Sequence, residues 1–260
     1  MHDGDSSDNK RRSTWPQRAW TLAGTAAILS SAVTCVRRLA ATGSSTTELL
    51  AAAAAAFAGY SLADLSTGVY HWFIDNYGGT ATPVIGAQVA SFMDHHRHPS
   101  AITRLEPCNL LHVLAAAVAV ALPAAGAALS ARGATAASHA FACAFAACAM
   151  LSVQFHAWAH AESPARLPAG VGALQAAGAL VSRANTPGTT ARAPHNSNYC
   201  SVSGMWNPVL DRYMAFHKLE KVIYLATGVR PRSWGQVVVV EGSEHARTST
   251  PPAGRHGRHR

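Results

Sequence analysis

The stretch from Gly133 to Ala161 reads GATAASHAFACAFAACAMLSVQFHAWAHA and contains no Asp, Glu, Lys or Arg. It is longer than the roughly 20 residues with which an α-helix crosses the hydrocarbon core of a bilayer. The stretch therefore predicts a membrane helix, and His156 and His160 fall near its end, at the bilayer boundary. Two histidines spaced i, i+4 present both imidazoles on one helix face, the geometry with which paired histidines bind a metal ion. A structural pair with satisfied hydrogen bonds is the alternative.

Three more apolar segments accompany this stretch. Leu110–Ala131 is uncharged and is separated from it by Arg132 alone, which predicts a tight helical hairpin. Ala19–Val36 is also uncharged and is closed by Arg37 and Arg38, which we expect on the side where basic flanks are retained. Leu49–Ala63 is shorter, so a span at this place needs the residues that follow it.

The composition supports a membrane protein. The 260 residues are 49% hydrophobic and only 13% charged, whereas an ordinary soluble domain has about 25% charged residues. A disordered chain, a highly charged nucleic-acid binder and a nucleic-acid partner are therefore not expected. The five cysteines are odd in number and form no Cys-X-X-Cys pair, which favours a reducing compartment.

We therefore predict an all-α integral membrane protein with about four membrane helices and a His-rich polar cap. The predicted organisation is a polar N-terminal tail at residues 1–17, a membrane-embedded domain at 18–234 and a disordered C-terminal tail at 235–260. The apolar but Gly-rich segment 167–181 is short, which favours an interfacial or re-entrant segment over a crossing.

A polar stripe follows the Leu49–Ala63 segment. Asp64, Gly68, His71 and Asp75 are spaced i, i+4, i+7 and i+11, which places them on one helix face. Asp75 either binds a metal ion or orients His71 for binding one. Gly68 would let a neighbouring helix or a substrate approach closely. A helix end with its polar groups at the membrane interface is the alternative.

A second polar cluster consists of the adjacent His95 and His96. Their side chains point about 100° apart on a helix, so they reach two ions, or one ion and a supporting group, more easily than a single ion. The alternative is a polar loop between apolar segments.

Imidazole ligands suit iron, zinc, copper or nickel. A site at the bilayer surface can reach an acyl chain, which favours an iron oxygenase or desaturase, with a metal transporter as the rival interpretation.

Several motifs agree in order and spacing with those of one known family. Through these motifs the chain resembles the lipid desaturase family over about residues 14 to 234, and it is most similar to the plastid branch of that family. These motifs are DLSTGVYHWFIDN (Asp64–Asn76), NYGGTATPVIG (Asn76–Gly86), the His95 and His96 pair, QFHAWAH (Gln154–His160), NYCSVSGMWN (Asn198–Asn207) and GVRPRSW (Gly228–Trp234).

The resemblance implies a membrane-bound di-iron enzyme of the chloroplast thylakoid membrane. Such an enzyme takes electrons from ferredoxin, uses O2 and introduces a trans double bond near the carboxyl end of palmitate in phosphatidylglycerol. The positions that match the family's ligand histidines are His71, His95, His96, His156 and His160. The resemblance also places Asp75 on the family's carboxylate, as a ligand or as a group that orients one, and Asn109 and His112 on its Asn and His after the second box. We further expect supporting roles for Asp64, His195, Asn198 and Asn207.

One departure from the family pattern concerns residues 184–191. The family has a His-X-X-His-His box here, whereas this chain has Thr186, Thr189 and Thr190 at the same spacing. Because a His codon read one nucleotide late begins with AC, which encodes Thr, our hypothesis is a compensated frameshift, and an independent transcript would then restore the box. His195 lies nearby but cannot replace three ligands. The alternative is a catalytically degenerate homologue that binds a lipid or a partner protein.

Overall fold

The computed structural model describes residues 11–83, 85–185 and 197–235, and in these ranges the protein is helical without a β-strand. The all-α prediction is therefore confirmed. The helices are α1 (Trp15–Ala41), α2 (Thr46–Asn76), α3 (Gly86–Arg97), α4 (Pro107–Ala131), α5 (Ala136–Ala159), α6 (Val171–Ala176), α7 (Asn207–Arg212) and α8 (Ala215–Thr227). Short 3-10 turns lie at Pro99–Arg104, Pro164–Arg166, Arg183–Asn185 and Arg232–Gly235.

Four helices, α1, α2, α4 and α5, are long and apolar enough to cross a membrane, which confirms the predicted number. Helix α2 has 31 residues because it continues beyond the Leu49–Ala63 run through the polar stripe to Asn76, as the shortness of that run required. Its first turn is capped by the Ser45 hydroxyl, which accepts a hydrogen bond from the backbone N–H of Glu48. The predicted interfacial segment 167–181 contains α6, whose six residues are too few to span.

The four long helices alternate in direction, which gives the bundle two ends. At one end the Ser13 N–H donates to Glu106, so α1 and α4 begin side by side. At the other, Arg38 donates to the carbonyl of Ala134 at the α4–α5 hairpin. We call these the histidine end and the hairpin end, because α2 and α5 carry their histidines His71 and His156 to the first.

The two ends differ in charge. Of the fifteen Lys and Arg residues in the described ranges, twelve lie at the histidine end, and only Arg37, Arg38 and Arg132 lie at the hairpin end. The excess of basic residues that marks the retained side of a membrane is therefore opposite to Arg37 and Arg38. The charge distribution and the two arginines that close the Ala19–Val36 run therefore predict opposite orientations, and the orientation in the membrane stays a prediction.

Helix α5 packs against all three other long helices, most extensively against α2. Small residues make this approach possible, as in other membrane bundles. A Cβ atom at Gly59 of α2 would lie 2.4 Å from the carbonyl oxygen of Phe141, and one at Gly24 of α1 would lie 2.7 Å from that of Ala115. The apolar core between the helices consists of Leu111, Ala115, Val118, Leu122, Ala146 and Met150.

The buried carboxylate of Asp64 fastens residues 197–235 to the middle of α2. Its Oδ1 accepts hydrogen bonds from the backbone N–H groups of Val202, Ser203 and Gly204 at 3.0, 2.8 and 3.0 Å. A second contact lies one turn further on, where a Cβ at Gly68 would come within 2.5 Å of the Cys200 sulfur. A charged group in an apolar helix thus obtains its hydrogen bonds from a distant loop.

Arg232 fastens the same segment to the end of α2. Its guanidinium donates to the backbone carbonyls of Ile74, Asp75, Tyr77 and Gly78, groups that the last helical turn leaves without helical partners. Nearby, the fully buried Glu220 of α8 accepts hydrogen bonds from the indoles of Trp72 and Trp234. The end of α2 is therefore held from two sides.

Replacing Gly59 by alanine is expected to separate α2 from α5. The new Cβ meets backbone atoms that cannot move aside, and overpacking of this kind costs about 2 kcal/mol. Gly126→Ala is the matched control, because no atom lies within 4 Å of a Cβ at that position. We expect a lower midpoint of thermal unfolding in detergent for Gly59→Ala alone, and equal midpoints would contradict the packing described.

Replacing Asp64 by alanine is expected to release the 202–206 loop. Three buried N–H groups lose a charged acceptor, which lowers the free energy of unfolding by about 3 kcal/mol or more. Asp94→Ala is the control, since the Asp94 side chain is 71% exposed. The measurement is the thermal unfolding midpoint together with the rate of proteolysis in residues 197–206. A variant as resistant as the Asp94→Ala control would show that the loop is held by other contacts.

Candidate metal centre

The first ligand group joins α3 to the end of α5. The Nε2 atom of His156 lies 3.0 Å from Nε2 of His95 and 3.2 Å from Nε2 of His160. For metal–nitrogen bonds of roughly 2.1 Å, neighbouring nitrogens around one ion lie about 3.0 to 3.4 Å apart. The three imidazoles therefore converge with the separations that a single cation requires.

The second ligand group lies beside the first and consists of His71, Asp75 and His96. Asp75 follows His71 by one turn of α2, and its carboxylate oxygen is 3.4 Å from His71 Nε2. His96 of α3 places its Nε2 3.0 Å from both oxygens of Asp75. In each of the two groups the potential ligand atoms all lie within 4.8 Å of one another.

The orientation of His71 fits a metal ligand. Its Nδ1 lies 3.2 Å from the backbone carbonyl of Tyr199, an acceptor only, so Nδ1 carries the proton and donates it. The other nitrogen, Nε2, is then unprotonated, and it is buried without a hydrogen-bond partner. A carbonyl behind a histidine ligand is the usual device that fixes its tautomer. A cation at Nε2 would satisfy an atom that no described protein group satisfies.

The two groups are close enough to form one dinuclear centre. The ring centroids of His71 and His156 are 5.6 Å apart, and those of His95 and His96 are 5.9 Å apart. The adjacent histidines of α3 thus serve different groups, as the 100° between neighbouring helical side chains requires. This is the arrangement expected of residues that bind two ions side by side.

The electrostatics of His95 and His160 suit cation binding. Burial, together with the neighbouring His160 imidazole, lowers the pKa of His95 to about 3. Burial, with a contribution from His71, lowers the pKa of His160 to about 4. Both rings are therefore neutral near pH 7, the form that binds a metal ion. The hydrogen bond to Asp75 instead raises the pKa of His96.

The other predicted site residues lie outside the two groups. Asp64 and Asn207 hold the segment that carries Tyr199, and Asn207 does so by accepting the Cys200 N–H at 2.9 Å. The backbone N–H of Asn198 donates to Asp211.

Two predicted supporting residues of α4 contact each other. His112 Nδ1 lies 2.8 Å from the Asn109 carbonyl, and the Asn109 side chain accepts a hydrogen bond from Gln17 of α1. The Asn109 side chain thus joins α4 to α1, whereas the His112 contact lies within α4. His195 and the Thr186, Thr189 and Thr190 positions lie outside the described residues, as does almost all of the predicted tail 235–260.

Sequence reasoning did not identify two contributions to the site. One is the Tyr199 carbonyl, because a backbone group leaves no signal in residue types. The other is Arg232, which holds the carbonyl of Asp75 and so the last turn of α2. A signal for Arg232 existed, since it belongs to the GVRPRSW motif, but nothing in the sequence connects that motif to α2.

Comparisons with known proteins agree with this geometry. The sequence profile of the lipid desaturase domain matches residues 60–234. Fatty acid desaturase 4, chloroplastic, of Arabidopsis thaliana is 44% identical over 224 residues, which cover 86% of this chain and 66% of that protein. Fatty acid desaturase 4-like 1, chloroplastic, of the same plant is 42% identical over 232 residues, covering 89% of this chain and 75% of the relative.

A bacterial relative is more distant. Plasmanylethanolamine desaturase of Myxococcus xanthus is 32% identical over 226 residues, covering 83% of this chain and 75% of the relative. No solved structure matches the chain. The profile covers more than half of the chain and contains all six residues of the two ligand groups. The chain therefore belongs to the lipid desaturase family, a family of oxidoreductases whose named relatives here are desaturases.

Proposed function

We propose that the protein is a membrane-bound di-iron desaturase that acts on an acyl chain of a membrane lipid. The observation that carries the proposal is the pair of adjacent three-residue ligand groups at one end of a bundle of apolar helices. The donor set, five imidazoles and one carboxylate, suits iron. When bound there, iron would supply the activation of O2 that removal of hydrogen from an unactivated alkyl chain needs.

The reaction balances with two electrons from an external donor. The acyl –CH2–CH2– unit loses two hydrogen atoms and becomes –CH=CH–, while O2 takes up these hydrogens, two electrons and two protons to give two molecules of water. The residues of the chain would bind and orient the iron. His71, whose ring is held by the Tyr199 carbonyl, and the His156 and His160 pair present their Nε2 atoms to one region. The apolar helices around it exclude water.

The finer assignment rests on the relatives. Because two relatives above 40% identity are named chloroplastic fatty acid desaturases, we propose a chloroplast membrane location, specifically the thylakoid. The substrate is proposed to be palmitate in phosphatidylglycerol, which receives a trans double bond near its carboxyl end, and the electron donor is proposed to be reduced ferredoxin.

A metal transporter is less well supported by the structure. Transport needs polar groups along a path through the bundle, whereas the described core between α4 and α5 consists of Leu, Val, Ala and Met side chains. Both ligand groups lie at one end.

A degenerate homologue is a second candidate because residues 184–191 lack the His-X-X-His-His box. In that case the chain binds a lipid or a partner protein without turnover. The metal content and the activity of a chain with the box restored separate the two candidates.

We expect about two iron ions per chain after anaerobic reconstitution. His160→Ala removes a ligand from the first group and His71→Ala one from the second, so each variant should retain about one iron, measured by elemental mass spectrometry. The matched control is His98→Ala. His98 directly follows α3, the helix that carries His95, but it belongs to neither ligand group and its side chain is 69% exposed. Two irons in both ligand variants would contradict the assignment.

The activity assay uses nanodiscs that contain palmitoyl phosphatidylglycerol, with reduced ferredoxin and O2, and detects the double bond by gas chromatography and mass spectrometry. The chain is compared with the variant Thr186→His/Thr189→His/Thr190→His. Product from the unaltered chain supports an active desaturase. Product from the triple variant alone supports the second candidate, a catalytically degenerate homologue. If neither chain forms product although both bind iron, the desaturase proposal is wrong for this substrate and donor.

A further inference from the structure

Helix α8 presents an unpartnered face that mixes large apolar and basic side chains. Leu225 is 83% exposed and Val222 is 61% exposed. Lys218 and Lys221 lie on the same outward half of the helix, are exposed, and form no ion pair with any residue of the described ranges. The long helices also expose leucine and valine, but the exposed face of α8 differs from theirs because it carries two lysines, Lys218 and Lys221, beside its apolar side chains.

The opposite face of α8 fixes the level at which the helix lies. Phe216 stacks on Trp72 with ring centroids 5.3 Å apart. Glu220, one turn later, accepts the hydrogen bond of the Trp72 indole. Trp72 lies one turn before the end of α2 at Asn76, so α8 lies beside the last turns of a spanning helix and not beyond its end. We infer that this level corresponds to the boundary between hydrocarbon and headgroups, where Trp and Tyr concentrate.

The charge around α8 is positive and not compensated on the surface. Residues 197–235 contain the basic residues Arg212, Lys218, Lys221, Arg230 and Arg232 and only two acidic ones. Of these two, Glu220 is fully buried and Asp211 accepts the Asn198 N–H. The exposed charge of this surface is therefore mainly that of lysines and arginines, with Asp211 partly exposed, and it lies at the bundle end that holds twelve of the fifteen described basic residues.

We propose that α8 is an interfacial helix whose outward face binds the anionic surface of the membrane that the bundle spans. Leu225 and Val222 enter the boundary of the acyl region, and Lys218 and Lys221 extend to lipid phosphates, the behaviour of an amphipathic helix at a bilayer. The function of this contact is to enrich anionic phospholipid next to the two ligand groups. A soluble protein partner is less suited to this face, because α8 lies at the depth of the bilayer boundary.

This inference goes beyond the proposed reaction and does not depend on it. The contact concerns the lipid around the histidine end, so it can be tested on protein without iron and without turnover. Failure of the desaturase assay leaves it unaffected, and loss of the lipid contact leaves the iron count unaffected.

The first experiment places a photoreactive benzophenone amino acid at Leu225 or, separately, at Val222 of the full chain. The variants are reconstituted in nanodiscs of phosphatidylcholine and phosphatidylglycerol, irradiated and analysed by intact-protein mass spectrometry. Leu29 of α1, which is 61% exposed, is the matched position on a spanning helix. We expect lipid adducts at all three positions, with phosphatidylglycerol enriched over its share in the nanodisc at residues 225 and 222 only.

The second experiment removes the charge. Lys218→Gln/Lys221→Gln is expected to abolish the enrichment of phosphatidylglycerol at residue 225. Two lysines near an anionic surface can produce an enrichment of up to about thirty-fold. The control Arg37→Gln/Arg132→Gln removes two exposed arginines from the hairpin end and should leave the enrichment unchanged. The absence of lipid adducts at both residues 225 and 222 overturns the proposal.

Two further outcomes count against it. Enrichment that persists in the lysine variant shows that other groups select the lipid. Adducts with a protein instead of a lipid at residue 225, obtained by irradiating native membranes, show that the face is a protein interface.

Discussion

The carboxylate of Asp64 is buried halfway along α2, where the apolar run of this helix ends, and its need for hydrogen bonds positions the segment 197–235. The residues before it on α2 are mostly Ala, Leu, Phe and Gly, and the hydrogen bonds to its carboxylate come from backbone groups. It takes backbone N–H groups from a loop more than 130 residues later. That loop brings Tyr199, and the Tyr199 carbonyl fixes the tautomer of His71. A single desolvated carboxylate thus contributes to the direction in which the ligand nitrogen of His71 points.

The apolar part of the bundle follows a different constraint. Between lipid-exposed helices there is no water to expel, so association depends on close contact and small residues. Gly24 and Gly59 allow α1 to approach α4 and α2 to approach α5 at the distance of backbone contact. Gly68 serves the same purpose toward the C-terminal segment at Cys200. The bundle can therefore be made largely of alanine and still hold its histidines in fixed positions.

The histidine end combines three features that concern the same substrate class. Two adjacent ligand groups lie beside each other, the surrounding helices are apolar, and the basic residues concentrate around them. Membership of the lipid desaturase family gives these features a common purpose, since an enzyme of lipids must meet a headgroup and an acyl chain together. The proposed interfacial position of α8 places cationic side chains beside the same site.

The sequence by itself determined the helical class, the four spans and the residue types of the site. Long uncharged runs such as Leu110–Ala131 and Gly133–Ala161 cross a bilayer as helices, and spacing alone placed His156 beside His160 and His71 beside Asp75. The tertiary structure decided how the ligand residues divide into two groups. His95 of α3 joins the histidines of α5, and His96 of α3 joins His71 and Asp75 of α2. It also decided that Arg232 supports the end of α2 and that Asp64 holds the loop whose Tyr199 carbonyl orients His71. Those contacts join residues far apart in the chain, and several use backbone carbonyls and N–H groups, which every residue possesses and no sequence pattern distinguishes.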